Sequence, residues 1–232
     1  DSPKDYEALH TIFTSKEMAF LANRLTLVND TKIGLYCGTT PPGIVTVAGT
    51  GCNVYGVNSH GEEAFAGNWG HFLGDRGSGY QLGKWMFQTV VGVYDGIEVP
   101  TLLTKKLTSR IDVASADDIL DWYVKTNPSI HEISDFAPLV IEAAEEGDET
   151  AKTILDKTIV ELGRALKAVV RRLKMENEYN RIVVVGGLFE SKYFRALFEG
   201  HVTALLARVR IVKPLVSAAV GAAIMAKHEW EK

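Results

Sequence analysis

Gly67-Asn68-Trp69-Gly70-His71-Phe72-Leu73-Gly74-Asp75-Arg76-Gly77-Ser78-Gly79-Tyr80 is the most informative stretch of this 232-residue chain. Five glycines surround a tryptophan, a histidine and an aspartate, and Ser78 stands where a helix N-cap belongs. A purely structural loop seldom needs that many glycines beside an aromatic ring and a carboxylate. The composition suits a small polar ligand with several hydroxyls. The alternative is a compact loop that packs only on itself.

Upstream of the loop the pattern is a β meander. Residues 43–48 read as a strand, Gly49-Thr50-Gly51 as a tight turn and residues 53–57 as a second strand. Asn58-Ser59-His60-Gly61 then turns the chain into residues 63–66. The glycines of the first turn let backbone N–H groups approach a phosphate, and the Thr50 hydroxyl adds a donor. An ordinary hairpin turn has the same residues.

Further upstream, residues 4–24 look helical, with Tyr6, Leu9, Ile12, Phe13, Met18 and Phe20 as the apolar positions. Thr26-Leu27-Val28 reads as a short strand ending in Asn29-Asp30. A carboxylate at a strand end can project into a cleft and take a proton from a hydroxyl. The bland alternative is a cap for the short helix that follows, expected to close at Gly38. Residues 39–43, with Pro41-Pro42, read as a turn or hinge.

Downstream the chain is mostly helical. Ser78 is expected to cap a helix running to about Val91, and Ser115 and Ser134 to cap two more, the second closed by Gly147. Residues 148–174 form the clearest helix, with Leu155, Ile159, Leu162, Leu166, Val169 and Leu173 on one apolar stripe. Residues 181–185 read as a buried strand entering Gly186-Gly187. Close backbone approach there can seat a nucleotide base or ribose; a tight strand-to-helix turn is the alternative. A helix from about Glu190, a strand over 209–212 and a helix over 216–228 complete a mixed α/β layout.

Composition excludes several classes. Apolar residues make up 46% and charged residues 23%, which argues against disorder. The net charge of −4 is too mild to point to nucleic acid, and Arg164, Lys167, Arg171, Arg172 and Lys174 are expected on a solvated helix face. The stretch 214–226 is shorter than the ~20 residues a membrane span needs, and no signal-peptide pattern is read. Cys37 and Cys52 make no disulfide framework and, with His60 and His71, no zinc spacing, so no metal site is expected and a reducing, cytoplasmic setting fits. Residues 79–85 miss a Walker A loop, since Ser78 and Trp85 replace its first glycine and its hydroxyl residue.

In this order, Asn29-Asp30, Ala48-Gly49-Thr50-Gly51, the 67–80 loop and Val185-Gly186-Gly187 resemble the N-acetylglucosamine kinase and BadF/BadG/BcrA/BcrD ATPase family. That family carries a loop of the form G-G-W-G-x-x-x-G-D-E-G-S. The resemblance covers nearly the whole chain. It implies the ribonuclease H-like, actin-like ATPase fold of the sugar kinase, heat-shock protein and actin superfamily. It also implies a remnant of an N-terminal lobe over residues 1–42, to which a C-terminal helix over 216–232 is joined, and a C-terminal sugar- and nucleotide-binding lobe over 43–215.

The activity it implies is phosphorylation of an amino sugar such as N-acetylglucosamine at its 6-hydroxyl, with ATP and Mg2+. Asp30 would be the general base. Gly49, Thr50 and Gly51 would hold the phosphates, and Gly186 and Gly187 would lie against the adenosine. Asn29, Asp30, Trp69, Gly70 and Asp75 would line the sugar pocket. The expected partners are the sugar and ATP, with no nucleic acid, no membrane and a homodimer left open.

Three substitutions depart from the family pattern: Asn68 for Gly, Arg76 for Glu and Cys52 for Ser. The family's opening D-G-G-G-T-K hairpin is not found before Asp30, so the chain is expected to begin partway through the first lobe and not to run a kinase cycle alone. Two rivals are an ATPase that activates a CoA-ester dehydratase or reductase, and a non-catalytic sugar-binding module.

Overall fold

The computed structural model describes residues 3–16, 18 and 25–231. Helices α1 (Pro3–Phe13) and α2 (Asp30–Tyr36) precede an antiparallel meander of β1 (Gly43–Ala48), β2 (Cys52–Val57) and β3 (Glu63–Gly67). A helical stretch follows: α3 (Gly70–Leu73), α4 (Gly79–Tyr94), α5 (Leu102–Ile111), α6 (Ala116–Thr126), α7 (Ile130–Ser134), α8 (Ala137–Glu145) and α9 (Glu149–Arg172). Strand β4 (Asn180–Val185) then returns to the sheet. A tight helical turn (Gly187–Glu190) and α10 (Lys192–Leu205) lead to β5 (Val209–Val212), which α11 (Ala218–Trp230) follows. The strand order is β3-β2-β1-β4-β5, with β4 and β5 parallel to β1.

Alternation along each strand sorts its side chains between two helical layers. Ile44, Ala48, Val54, Ile182 and Val184 face one layer, where Leu162, Leu166 and Val169 of α9 meet Phe194 and Phe198 of α10. Val45, Tyr55, Val57 and Val183 face the other, formed by Leu35 and Tyr36 of α2 and Met225 of α11. Being covered on both faces explains why residues 182–185 are an unbroken apolar run. Glycines let α2 lie close to the sheet. A Cβ on Gly34 would meet Val45 and Val185, and one on Gly38 would stand 2.8 Å from Val183. Helix α2 therefore runs against β1 and β4, and its first residue, Asp30, sits at their carboxyl ends.

Several expectations need correction. Thr26-Leu27-Val28 is not a strand: the segment has no sheet neighbour, and Val28 packs against the α2–α11 cluster instead. The first helix stops at Phe13 rather than continuing past it. The Thr11 and Thr14 hydroxyls bond back to the carbonyls of Glu7 and His10, competition that weakens a helix. The rest of that expected helix, Phe20 included, falls partly outside the described residues. Helix α2 ends at Tyr36 without a left-handed glycine, so Gly38 serves packing, not chain reversal. Ser134 caps nothing. It is the last residue of α7, which Ser129 caps, and α8 begins after Phe136 with no side-chain cap. The Ser78, Ser115 and Gly147 punctuation stands as expected, and the five basic side chains from Arg164 to Lys174 are exposed.

Candidate active site

The strand order places a switch point between β1 and β4. The chain leaves β1 toward β2 and leaves β4 toward β5, in opposite directions, which opens a crevice at their carboxyl ends. A cleft of about 690 Å3 lies there. Gly49 and Thr50 line one side, Gly187 and Leu188 another, and His131, Ser134, Ala137 and Ile141 the third.

The turn after β1 is oriented by α4. Gly79 N–H donates to the Gly49 carbonyl at 2.7 Å, and Tyr80 N–H to the Thr50 carbonyl at 3.3 Å. In a trans peptide the N–H points opposite to the C=O. With those two carbonyls turned to α4, the N–H groups of Thr50 and Gly51 point away from it. Among the described residues they find no acceptor, as an anion-binding turn requires. The Thr50 hydroxyl is 3.3 Å from both His131 Nδ1 and Ser134 Oγ.

Gly186 crosses directly over the end of β1. Its φ is +115°, and a Cβ there would stand 2.3 Å from the Ala48 carbonyl oxygen. Only glycine meets both conditions. Gly187 is different: a Cβ there would meet nothing within 4 Å, so its backbone is open to the cleft.

At the same end of the sheet, Asn29 caps α2, its Oδ1 accepting from Thr31 N–H at 2.9 Å. The cap is thus Asn29, which leaves the Asp30 carboxylate uninvolved in capping, exposed at the first helical position. Asn53 Nδ2 donates to Thr31 Oγ1 at 3.1 Å and ties this helix start to β2. Asp75 is drawn in from the glycine loop, its Oδ1 accepting from Cys52 N–H at 3.0 Å. Its carboxylate also lies where a Cβ on Gly51 would meet it at 3.3 Å. Asp75, Gly51, Cys52 and the α2 start are therefore neighbours.

Trp69 and Gly70 are not drawn in. Trp69 is 72% exposed and Phe72 is 89% exposed, and a Cβ on Gly70 would meet nothing within 4 Å. They form an open tip whose two ends are pinned, by Gly67 against Cys52 and by Asp75. The departures from the family pattern have physical readings here. Asn68 has φ +64°, a conformation that glycine adopts freely and asparagine more readily than most residues. Cys52 Sγ accepts from Gly77 N–H at 3.3 Å, and burial pushes its thiol up to about 12, so it is no thiolate nucleophile. Cys37 lies across the sheet, against Gly221 of α11, so the two thiols do not share a surface.

Two residues that sequence reasoning passed over belong to this region. His131 and Thr50 are 81 positions apart, and no local pattern joins them. Asn53 is buried, and its Oδ1 has no hydrogen-bond partner. A polar side chain opening an otherwise apolar strand was the available signal.

The sheet order, with its glycine turns gathered at one end, is that of the ribonuclease H-like, actin-like ATPase fold. The chain belongs to the BadF/BadG/BcrA/BcrD ATPase family, which residues 6–226 match. It is 30% identical over 210 residues to the N-acetylmuramic acid/N-acetylglucosamine kinase of Clostridium acetobutylicum, covering 90% of this chain and 69% of that protein. It is 32% identical over 168 residues to the N-acetyl-D-glucosamine kinase of Dictyostelium discoideum, covering 71% of this chain and 53% of that one. A crystal structure from Chromobacterium violaceum, assigned as an N-acetylglucosamine kinase, superposes with a TM-score of 0.75 at 24% identity. That match covers 97% of this chain and 72% of the other.

Proposed function

We propose that the chain carries the sugar pocket, the general base and the nucleotide cleft of an ATP-dependent amino-sugar kinase. Its substrates are ATP–Mg2+ and N-acetylglucosamine or a close relative. The observation that carries this reading is the convergence at one end of the sheet. The Thr50 turn and Gly187 border a common cleft, Gly186 crosses the end of β1 beside it, and the α2 start, Asn53 and Asp75 stand at the same end of the sheet. The two curated relatives, one named as an N-acetylmuramic acid/N-acetylglucosamine kinase and the other as an N-acetyl-D-glucosamine kinase, support it.

In this reading Asp30 takes the proton from the sugar 6-hydroxyl. The oxygen attacks the γ-phosphorus, the bond to the β–γ bridging oxygen breaks, and ADP leaves with that electron pair. The N–H groups of Thr50 and Gly51 and the Thr50 hydroxyl hold the phosphates, while Gly49 allows the close approach. Gly186 and Gly187 lie under the adenosine. Asn29 and Asp75 border the sugar, beside the exposed tip that carries Trp69 and Gly70. Phosphoryl transfer is mostly positioning and charge neutralisation, so a carboxylate and a cradle of N–H groups are the parts a protein must supply.

Among the described residues no three His, Cys, Asp or Glu side chains stand together as a metal site. Mg2+ would enter with the nucleotide and neutralise charge on its phosphates. Helices α2 and α11 pack on the same sheet as residues 43–215, through Leu35, Tyr36, Val45 and Met225, so in this reading they belong with the sugar- and nucleotide-binding lobe. A cytoplasmic site of action accords with two free cysteines, and no helix among the described residues is long and apolar enough to cross a membrane.

Calorimetry tests the proposal. Titration with N-acetylglucosamine, glucosamine and glucose should give the tightest binding for an acetylated amino sugar, and ATP–Mg2+ should bind separately. Equal heats for all three sugars, or no heat with ATP–Mg2+, would overturn it.

A further inference from the structure

We propose that His131 is a positioning residue for the nucleotide: its imidazole holds the Thr50 hydroxyl so that the Thr50 proton is free for a phosphate oxygen. The inference rests on the reading that Thr50 meets the phosphates, and it adds a residue that the turn itself does not contain.

Counting protons leads to this role. Ser134 Oγ donates to the His131 carbonyl at 2.7 Å, so Ser134 can only accept from Thr50. Thr50 has a single hydroxyl proton. If His131 presents a bare Nδ1, two acceptors inside the protein compete with the ligand for that proton. If Nδ1 carries its proton, His131 donates to Thr50 Oγ1 and leaves the Thr50 proton to turn outward. A charged phosphate then outcompetes a neutral serine oxygen. Both contacts to Thr50 are 3.3 Å, long against the ~2.7–2.8 Å usual for hydroxyl hydrogen bonds. The hydroxyl is thus held near its partners without being locked to either.

The frame that sets this separation is α4. Helix α7 carries His131 and is closed at its start by the Ser129–Glu132 capping box. It lies directly on Gly83, where a Cβ would stand 2.0 Å from the Ile133 carbonyl oxygen. The Thr50 turn hangs from the first two N–H groups of the same helix. His131 and Thr50 are therefore fixed to one rigid element, and His131 lines the cleft without being needed for the core.

The test is calorimetric titration of ATP–Mg2+, adenosine and N-acetylglucosamine into the wild type, Thr50→Val, His131→Ala, His131→Asn and the Thr50→Val/His131→Ala double variant. His131→Ala should weaken ATP–Mg2+ about tenfold, the scale of one hydrogen bond to a charged group, and leave adenosine and sugar within about twofold. His131→Asn, whose amide N–H can replace Nδ1–H, should recover most of the loss. In the Thr50→Val background His131→Ala should add little. Equal losses for ATP–Mg2+ and adenosine, fully additive losses or no recovery by asparagine would overturn the role. If Thr50→Val weakens ATP–Mg2+ and His131→Ala does not, only this inference falls. If Thr50→Val changes nothing, the phosphate assignment of Thr50 falls and takes the inference with it.

Discussion

Gly79 N–H donates to the Gly49 carbonyl at 2.7 Å, and this bond joins the start of α4 to the turn after β1. It commits the first N–H of the helix to the protein itself. The helix start therefore acts as an anchor for the turn, and the N–H groups of Thr50 and Gly51 point away from it. The cradle is rigid because a long helix, not a loop, holds it.

On the other wall of the cleft, Gly186→Ala and Gly187→Ala should separate stability from binding. Gly186→Ala forces a side chain into φ +115° and against the Ala48 carbonyl. It should cost about 2–4 kcal/mol in denaturant unfolding. Gly187→Ala meets nothing in the protein, so stability should stay within about 0.5 kcal/mol while ATP–Mg2+ affinity falls. Equal stability losses for both would contradict this geometry.

Asp30→Asn keeps the shape of the side chain and removes its basicity. Because Asn29 supplies the helix cap, the fold should be unaffected. In a coupled ADP-release assay on the protein that includes the family's opening hairpin, kcat should fall by roughly two to four orders of magnitude, with sugar affinity changed by only a few-fold. Near-normal turnover would remove Asp30 from the role of base.

Asp75 should prove to serve two ligands. Asp75→Ala removes the acceptor for Cys52 N–H, so it should weaken sugar about tenfold and also loosen the phosphate turn, lowering ATP–Mg2+ affinity. Asp75→Asn can still accept from Cys52 through its amide oxygen. It should spare nucleotide binding and affect sugar alone, measured by calorimetry with each ligand.

Acid stability should depend on Asp148. Burial pushes this carboxyl up, but bonds from Ala151 N–H, Leu102 N–H and the Thr101 hydroxyl outweigh it and hold it below the usual range. A carboxyl depressed in the fold stabilises it fully above the unfolded value of ~3.9, and that contribution is lost as pH falls below it. Asp148→Ala should cost about 1–2 kcal/mol at neutral pH, the scale of a lost helix cap. It should also flatten the decline in unfolding free energy below about pH 4. An unchanged acid slope would show that other carboxylates dominate.

Most of the sheet was legible because its signals are local. The apolar run at 43–48 is β1 and the one at 209–212 is β5, both to the residue. Ser78 and Ser115 announced their helices because a cap acts within three residues. The glycine turns were legible for the same reason: Gly186 must be glycine for its own φ. Thr26-Leu27-Val28 failed because a strand exists only beside a partner, and partners are chosen by the whole fold. Ser134 failed because its hydroxyl bonds back to the His131 carbonyl of the helix it ends and meets Thr50, 84 positions away, instead of capping the helix that follows.

The residue types of the candidate site were written in the chain itself: the carboxylate of Asn29-Asp30, glycines where backbone must approach a phosphate, and a loop rich in glycine around Trp69 and Asp75. Their distances were not. That Asp75 reaches Cys52, that Asn53 is buried with an orphaned oxygen, and that His131 meets Thr50 all follow from stacking α4, α7 and α2 against one end of the sheet. Local chemistry selects a backbone conformation within a few residues, whereas a site needs groups from distant segments within hydrogen-bond reach, and only packing of the whole core sets those separations.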